Sequence, residues 1–184
     1  MRVVGHLRPV KDPLLVARAA RLLPPSSRLR VEHIGDTLDD SLALAAREEE
    51  RTNARWRWLG ARTRLATLRA IASAHLIVLP SRSEGGPGVI AEAVMASTPV
   101  LATRIDGVLG MLGPDHPGLF EPGDVAGLAR RLERAESDAA FLAELVRSGD
   151  ACRPRFERAQ EVGAWRALLH EIPAREWQRP GPAR

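Results

Sequence analysis

A glycine-rich loop at residues 81–88 is the part of the sequence best suited to binding a ligand. It reads Ser-Arg-Ser-Glu-Gly-Gly-Pro-Gly, and Gly85, Gly86 and Gly88 let the backbone approach a ligand closely. A predicted helix over 88–96 follows, and the start of a helix presents unpaired N–H groups and the positive end of its dipole. The loop therefore predicts a phosphate site, although its glycine spacing matches neither the P-loop nor the dinucleotide fingerprint.

Two carboxylates accompany this loop. Glu84 precedes the predicted helix, and Glu92 follows it within the helix by a little over two turns, so both point to roughly the same side. Because an ionised carboxylate only accepts hydrogen bonds, the pair suggests recognition of hydroxyl groups on either side of a phosphate. The alternative is that Glu84 only complements the helix dipole and Glu92 is a surface residue, and spacing alone favours neither interpretation.

A second loop, at residues 5–12, concentrates positive charge after a short predicted strand. It contains His6, Arg8 and Lys11, the last being the only lysine in the chain. Such a loop is either a solvated connection or a clamp for an anionic group, with Lys11 as a point charge.

Strands alternating with helices must position these loops. The predicted strands are 2–5, 29–34, 55–59, 76–79 and 100–103. The predicted helices begin at Asp12-Pro13, 38, 65, 88 and Asp124, with Asp12 and Asp124 as N-caps, and more helix follows the last of them to about residue 171. The apolar run 76–79 is typical of a strand buried on both faces. This alternation predicts an α/β fold, a doubly wound parallel sheet of five or six units whose ligands bind beyond the carboxyl ends of the strands.

Composition limits the classes of protein this could be. The chain has 184 residues, 45% of them hydrophobic and 27% charged, which fits one globular domain and excludes a disordered or fibrous chain. No apolar run approaches the ~20 residues of a membrane span. A single cysteine, Cys152, cannot form an internal disulfide, and the first residues do not resemble a signal peptide. We therefore expect a cytoplasmic protein without a membrane span.

Nucleic-acid binding is a competing interpretation of one basic segment. Arginines crowd residues 51–69, and Trp56 and Trp58 lie among them, a combination that can track a backbone and stack bases. In an alternating strand, however, both tryptophans share one face and pack while the arginines cover the other. We therefore expect no nucleic-acid partner.

The chain resembles the C-terminal, donor-binding half of a GT-B glycosyltransferase of family 4, also called group 1. The resemblance covers about residues 3–135 and depends on an ordered set of motifs rather than on any one of them. The motifs are Gly5-His6-Leu7 with Lys11, Leu59-Gly60, Leu79-Pro80-Ser81, Glu84-Gly85 through Glu92-Ala93, Thr98 to Thr103, Asp106-Gly107 and Pro122-Gly123-Asp124.

The resemblance implies a role for each matching position. Lys11 and Glu84 would be the catalytic residues, Lys11 at the donor diphosphate and Glu84 at the donor sugar. Glu92 would accept hydrogen bonds from the ribose hydroxyls. The other implied binding residues are His6 and Arg8 near the phosphates, the backbone of Gly85, Gly86 and Gly88, the amides of Val89 and Ile90, and Gly60 and Leu65 beside the nucleobase.

The resemblance also implies the reaction. A nucleoside-diphosphate sugar, with UDP as the expected nucleotide, would serve as co-substrate, and transfer would retain the anomeric configuration with no cofactor and no bound metal. Three positions depart from the family pattern: His6 replaces an arginine, Ser97 a glycine, and Gly110 a glutamate. These features are similar to a subgroup of selenosugar synthases in selenoneine biosynthesis, for which the acceptor would be selenophosphate.

The resemblance covers only one half of a GT-B enzyme. Residues 1–172 would form the nucleotide-sugar-binding domain and 173–184 an irregular tail rich in proline and arginine. We expect the acceptor to be held by an N-terminal domain supplied in cis or in trans, and this chain alone to transfer sugar weakly. The alternative is a non-catalytic remnant that binds nucleotide sugar, or an interaction module.

Overall fold

Six parallel strands form the sheet of the computed structural model, which describes residues 1–171. The strands are β1 (Arg2–Val4), β2 (Val31–Ile34), β3 (Trp56–Trp58), β4 (Ile77–Leu79), β5 (Val100–Thr103) and β6 (Leu119–Phe120), in the order β3-β2-β1-β4-β5-β6. Val3 pairs with His33 across β1 and β2, and Val78 pairs with Leu101 across β4 and β5. This strand order reverses between β1 and β4, and ligands of doubly wound sheets bind at that reversal.

Helices connect the strands and cover both faces of the sheet. They are α1 (Leu15–Arg21), α2 (Asp40–Thr52), α3 (Arg64–Ala72), α4 (Gly88–Met95), α5 (Asp106–Leu112), α6 (Val125–Ser137), α7 (Ala139–Cys152) and α8 (Arg158–Glu171). Two short 3₁₀ helices lie at Pro9–Lys11 and Arg153–Phe156. The predicted α/β doubly wound fold is therefore confirmed. No helix within residues 1–171 is long and apolar enough to cross a membrane.

The middle of the sheet divides the core into two layers because successive side chains of a strand point to opposite faces. On β4, Val78 packs with helices α1, α6 and α7, whereas Ile77 and Leu79 pack with α3, α4 and α5. All three β4 side chains are buried. The prediction that this apolar run is buried on both faces is confirmed.

The structure corrects the predicted start of the first helix. Asp12 does not cap α1, which begins after Leu14 without a side-chain cap. Asp12 instead ends the 3₁₀ helix in a left-handed conformation, with φ of 40°. The reason is that its carboxylate is bound by Arg18 of α1 and by Arg82 of the loop after β4. By contrast, Asp124 caps α6 as predicted, accepting from the Gly127 amide at 2.7 Å.

Two elements have no counterpart in the predicted set, namely α5 and β6. Both are short, and neither spans enough residues to show a hydrophobic period. In β3, Trp56 is buried and Arg57 is exposed, as the alternation predicts. The predicted irregular tail at 173–184 lies outside the described residues.

Candidate functional site

The loops that follow β1 and β4 meet where the strand order of the sheet reverses. The ammonium of Lys11, from the loop after β1, forms an ion pair with Glu84 Oε1, from the loop after β4. The Lys11 side chain is 28% exposed and that of Glu84 12%, so the pair is largely shielded from solvent. Two residues predicted to be catalytic are therefore in direct contact, although 73 positions separate them in sequence.

The Glu84 loop is supported from below by hydrogen bonds to the next strand. Ser81, fully buried, donates from its hydroxyl to Glu84 Oε1 at 2.7 Å. Thr103, at the end of β5, donates from its hydroxyl to the Ser81 carbonyl at 2.5 Å. Gly107 lies directly beneath the loop, where a Cβ atom would be 2.1 Å from the Glu84 carbonyl oxygen. These contacts fix the position of the Glu84 carboxylate.

The glycines of the loop face open space. A Cβ atom added at Gly85, Gly86 or Gly88 would meet nothing within 4 Å, and none of the three has a positive φ. Neither internal packing nor backbone conformation requires glycine at these positions. Open space above bare backbone is the arrangement that lets a ligand come close.

The start of α4 directs amide groups into this same space. Its N-cap is Pro87, and within residues 1–171 no side chain caps the helix. The Ile90 amide donates to the Pro87 carbonyl at 2.9 Å. The turn thus already uses one of the two amides predicted to face phosphate. Val89, the other predicted donor, is half-buried at the first turn of the helix, where amides have no partner inside the helix.

A cavity of about 320 Å³ opens at the carboxyl ends of β1 and β2, and neither Lys11 nor the loop at residues 81–88 lines it. This volume is at the lower end of the ~300–1,000 Å³ range of small-molecule sites. Its lining residues are Val4, Gly5, His6, Ile34, Gly35, Ala61, Arg62, Arg64, Thr67, Leu68 and Glu92. Glu92 is paired with Arg64, whose Nη1 lies 3.1 Å from Glu92 Oε1. His6 and Glu92, two predicted binding residues, therefore line one cavity.

Hydrogen bonds define the tautomer of each histidine near the cavity. The Asp36 amide donates to His6 Nδ1 at 3.0 Å, so the proton of a neutral His6 ring lies on Nε2. His33 is buried in β2, and its Nε2 lies 2.8 Å from the Gly5 carbonyl, which leaves Nε2–H as the donor. Burial lowers the pKa of His33 to about 4, so its ring is neutral at physiological pH. His33 thus supports the Gly5 turn, and His6 presents an N–H donor.

Three predicted residues lie outside these contacts. Gly60 adopts a positive φ of 67° and its carbonyl accepts from the Gly35 amide at 3.0 Å, but it does not line the cavity. Leu65 is 58% exposed and also does not line it. A helix turns about 100° per residue, so Arg64 and Leu68 of α3 face the cavity while Leu65 points away. Arg8 is exposed, in the turn that precedes Lys11.

Sequence reasoning missed several supporting residues. Arg64 lies in the basic segment considered for nucleic-acid binding, but as the first residue of α3 it follows β3 at the sheet edge where ligands bind. The Leu79-Pro80-Ser81 motif contains Ser81 but does not predict its hydrogen bond to Glu84. Nothing in the local sequence indicates that Gly107 lies beneath Glu84, because that contact exists only in the folded chain.

Within 1–171, no group of three or more histidine, cysteine, aspartate or glutamate side chains is arranged to hold a metal ion. The site as it stands consists of one ammonium, two carboxylates, a helix start and a cavity between loops.

Solved structures share this architecture. Anabaena HepE in complex with UDP aligns with a TM-score of 0.80 and 23% identity, covering 92% of this chain and 49% of that one. HepE in complex with UDP-glucose aligns with a TM-score of 0.79, 23% identity and coverage of 92% and 49%. At this level of identity the likeness shows the fold, a GT-B Rossmann-like C-terminal domain.

Curated sequences and a family model match as well. A D-inositol 3-phosphate glycosyltransferase from Mycobacterium avium is 36% identical over 141 residues, which is 69% of this chain and 32% of that protein. One from Streptomyces bingchenggensis is 32% identical over 154 residues, or 77% and 33%. The chain thus spans about a third of the length of these relatives. The model described as Glycosyl transferases group 1 matches residues 1–150. The chain therefore belongs to the group 1 glycosyltransferases.

Proposed function

We propose that this chain is the donor-binding half of a retaining glycosyltransferase and that its ligand is a UDP-sugar. The observation that carries the proposal is the contact of Lys11 with Glu84 where the strand order reverses, at the same sheet edge as the cavity that contains Glu92. Family membership supports sugar transfer, and the UDP and UDP-glucose complexes of the HepE fold support the choice of nucleotide.

The diphosphate would lie across the loops after β1 and β4. Lys11 supplies an ammonium there, which is paired with Glu84 in the ligand-free protein, and the start of α4 adds amide donors and its dipole. As the bond to the sugar breaks, negative charge grows on the departing UDP, and donors already in position stabilise it. We infer that this charge is stabilised by Lys11, His6 and the Val89 amide without a metal ion, and Arg8, exposed in the turn before Lys11, stays a predicted contact.

The nucleoside would occupy the cavity beside β1 and β2. Glu92 accepts hydrogen bonds from the two ribose hydroxyls, which requires Arg64 to release the Glu92 carboxylate. That exchange costs little, because the Arg64 side chain is 79% exposed and such pairs contribute at most ~1 kcal/mol. The base packs against the wall formed by Ala61 and Leu68, near but not on Gly60 and Leu65.

The donor sugar would lie above the glycine loop. Glu84 is directed towards it by Ser81 and Lys11, and Gly85, Gly86 and Gly88 leave room for the sugar ring. We propose that the acceptor is held by an N-terminal domain in cis or in trans, and that selenophosphate is the acceptor to test first. The donor half alone leaves its side of the cleft open to water, so transfer by this chain alone should be weak.

Calorimetric titration with UDP tests the donor site. We expect Lys11→Ala and Glu92→Gln each to reduce UDP affinity by about tenfold or more, the scale of a lost charge-assisted hydrogen bond. Arg57→Ala and Glu133→Gln are matched controls, because both side chains are exposed and neither lines the cavity. Wild-type protein that does not bind UDP, or controls that lose as much affinity as the site variants, would contradict the proposal.

A second measurement separates an enzyme half from a binding remnant. UDP-sugar and the acceptor substrate of a group 1 relative are incubated with the chain, with and without that relative's separately expressed acceptor domain, and UDP release is followed. Release above the rate with Glu84→Gln supports catalysis. Tight UDP binding without any such release would favour the remnant.

A further inference from the structure

Asp12 is a buried carboxylate beside the proposed phosphate site. The residue is 7% exposed and follows Lys11 directly. Asp12 Oδ1 accepts from Arg18 Nη2 at 2.9 Å, and Oδ2 accepts from Arg82 Nη2 at 2.8 Å. A buried carboxylate needs partners of this kind, because an unpaired charge would carry a large desolvation cost.

The two arginines come from different parts of the fold. Arg18 belongs to α1 and lies in the same stretch of chain as Asp12. Arg82 belongs to the loop after β4, two residues before Glu84, and its amide also donates to the Val10 carbonyl at 2.8 Å. One oxygen of Asp12 therefore makes a local contact, while the other joins the Lys11 loop to the Glu84 loop.

The backbone of Asp12 is unusual in a way that this bridge explains. Its φ of 40° lies in the left-handed region, which aspartate tolerates better than most residues but glycine adopts most easily. A glycine would satisfy the turn alone. Aspartate satisfies the turn and also places a charge between the two loops.

We propose that Asp12 is a positioning residue for the donor diphosphate: through Arg82 it holds the Lys11 loop against the Glu84 loop, so that the Lys11 ammonium and the glycine-rich backbone face the same phosphates. This inference rests on the proposed function, since it assumes a diphosphate at Lys11. Asp12 touches no ligand itself. It acts by fixing the positions of the Lys11 loop and the Glu84 loop, which contact the ligand.

Paired titrations with UDP and uridine test this role, followed by NMR so that weak binding is measured. Uridine fills only the cavity, whereas UDP also uses the two loops. We expect Asp12→Asn, which keeps the turn and the volume, to reduce UDP affinity about tenfold while uridine affinity is unchanged. Arg82→Ala should behave in the same way, and Arg82→Lys should recover part of the loss.

Arg18→Ala is the matched control. It removes the other partner of the same carboxylate but leaves the contact between the loops, so UDP affinity should change by less than about threefold. Equal losses in Arg18→Ala and Arg82→Ala would overturn the proposal, because the bridge would then have no special role. Wild-type UDP affinity in Asp12→Asn, or loss of uridine binding as well, would also overturn it.

Hydrogen exchange in the ligand-free protein separates this inference from the proposed function. The Arg82 amide, bonded to Val10, should exchange faster in Asp12→Asn and Arg82→Ala than in the wild type or Arg18→Ala. If the wild type does not bind UDP, the proposed function fails and the diphosphate role fails with it, whatever the exchange shows. If UDP binds and exchange at Arg82 is unchanged, only the inference fails.

Discussion

Replacing Gly107 with alanine should damage the donor site without touching any residue that contacts the ligand. Gly107 lies in the first turn of α5, directly beneath the loop that contains Glu84. A Cβ atom at this position would be 2.1 Å from the Glu84 carbonyl oxygen, 2.7 Å from the Glu84 carbonyl carbon and 3.0 Å from that of Gly85. All three are backbone atoms, so no side chain can rotate away.

The size of the effect follows from these distances. Real Cβ atoms almost never approach another heavy atom closer than 3.0 Å, so the Glu84–Gly85 peptide must move by roughly 1 Å. A misplacement of about 1 Å at a site can reduce activity by ~100-fold. For Gly107→Ala we expect a smaller effect on binding, a loss of UDP affinity of about tenfold, because the diphosphate keeps its contact with Lys11.

Gly110→Ala is the control within the same helix. A Cβ atom at Gly110 would meet nothing within 4 Å, so the substitution adds a methyl group in open space. Both alanines gain the same helix propensity, about 0.5–1 kcal/mol relative to glycine, and the difference between the variants isolates the contact with Glu84. Urea unfolding should show Gly110→Ala to be as stable as the wild type or more so.

Calorimetry with UDP completes the comparison. We expect the wild type and Gly110→Ala to bind UDP with equal affinity and Gly107→Ala to bind it more weakly. Uridine should bind all three proteins with the same affinity. If Gly107→Ala bound UDP with wild-type affinity, the reasoning that packing beneath Glu84 sets the geometry of the phosphate loop would be refuted.

Three further predictions concern stability. Burial lowers the pKa of His33 from 6.5 to about 4, so folding favours the neutral ring. The stability that this group contributes is therefore complete above pH 6.5 and is lost as the pH falls towards 4. Urea unfolding between these pH values should show a decline in the free energy of unfolding, and the decline should be smaller in His33→Gln. Gly35→Ala should lower the free energy of unfolding by about 1–3 kcal/mol, since its Cβ would be 1.9 Å from the Gly5 carbonyl oxygen, and an unchanged Tm would contradict this. Asp138→Ala should lower the free energy of unfolding by about 1 kcal/mol, because the Asp138 carboxylate caps α7 by accepting from the Phe141 amide at 3.0 Å. An equal loss on replacing an exposed residue such as Glu133 would show that the cap is not the cause.

Local patterns in the sequence predict the fold class and most of its helices and strands. The apolar run that became β4, with helices on either side of it, indicates a parallel sheet because a strand buried on both faces needs covering elements on both faces. The Asp124 cap was likewise readable, since capping depends on neighbours within one turn. The sequence does not predict α5 and β6, because these elements are too short to show a hydrophobic period.

The sequence by itself determined which residue types end the strands: a lysine after β1, and a glycine-rich loop with glutamates after β4. It could not determine how they meet. The residues around Asp12 predict a helix cap, whereas in the structure its carboxylate binds Arg82. Glu92 is paired with Arg64, a contact that the sequence does not predict. Only the tertiary structure decided these contacts, because the residues are far apart in the chain and their distances depend on how β1 and β4 lie side by side in the sheet.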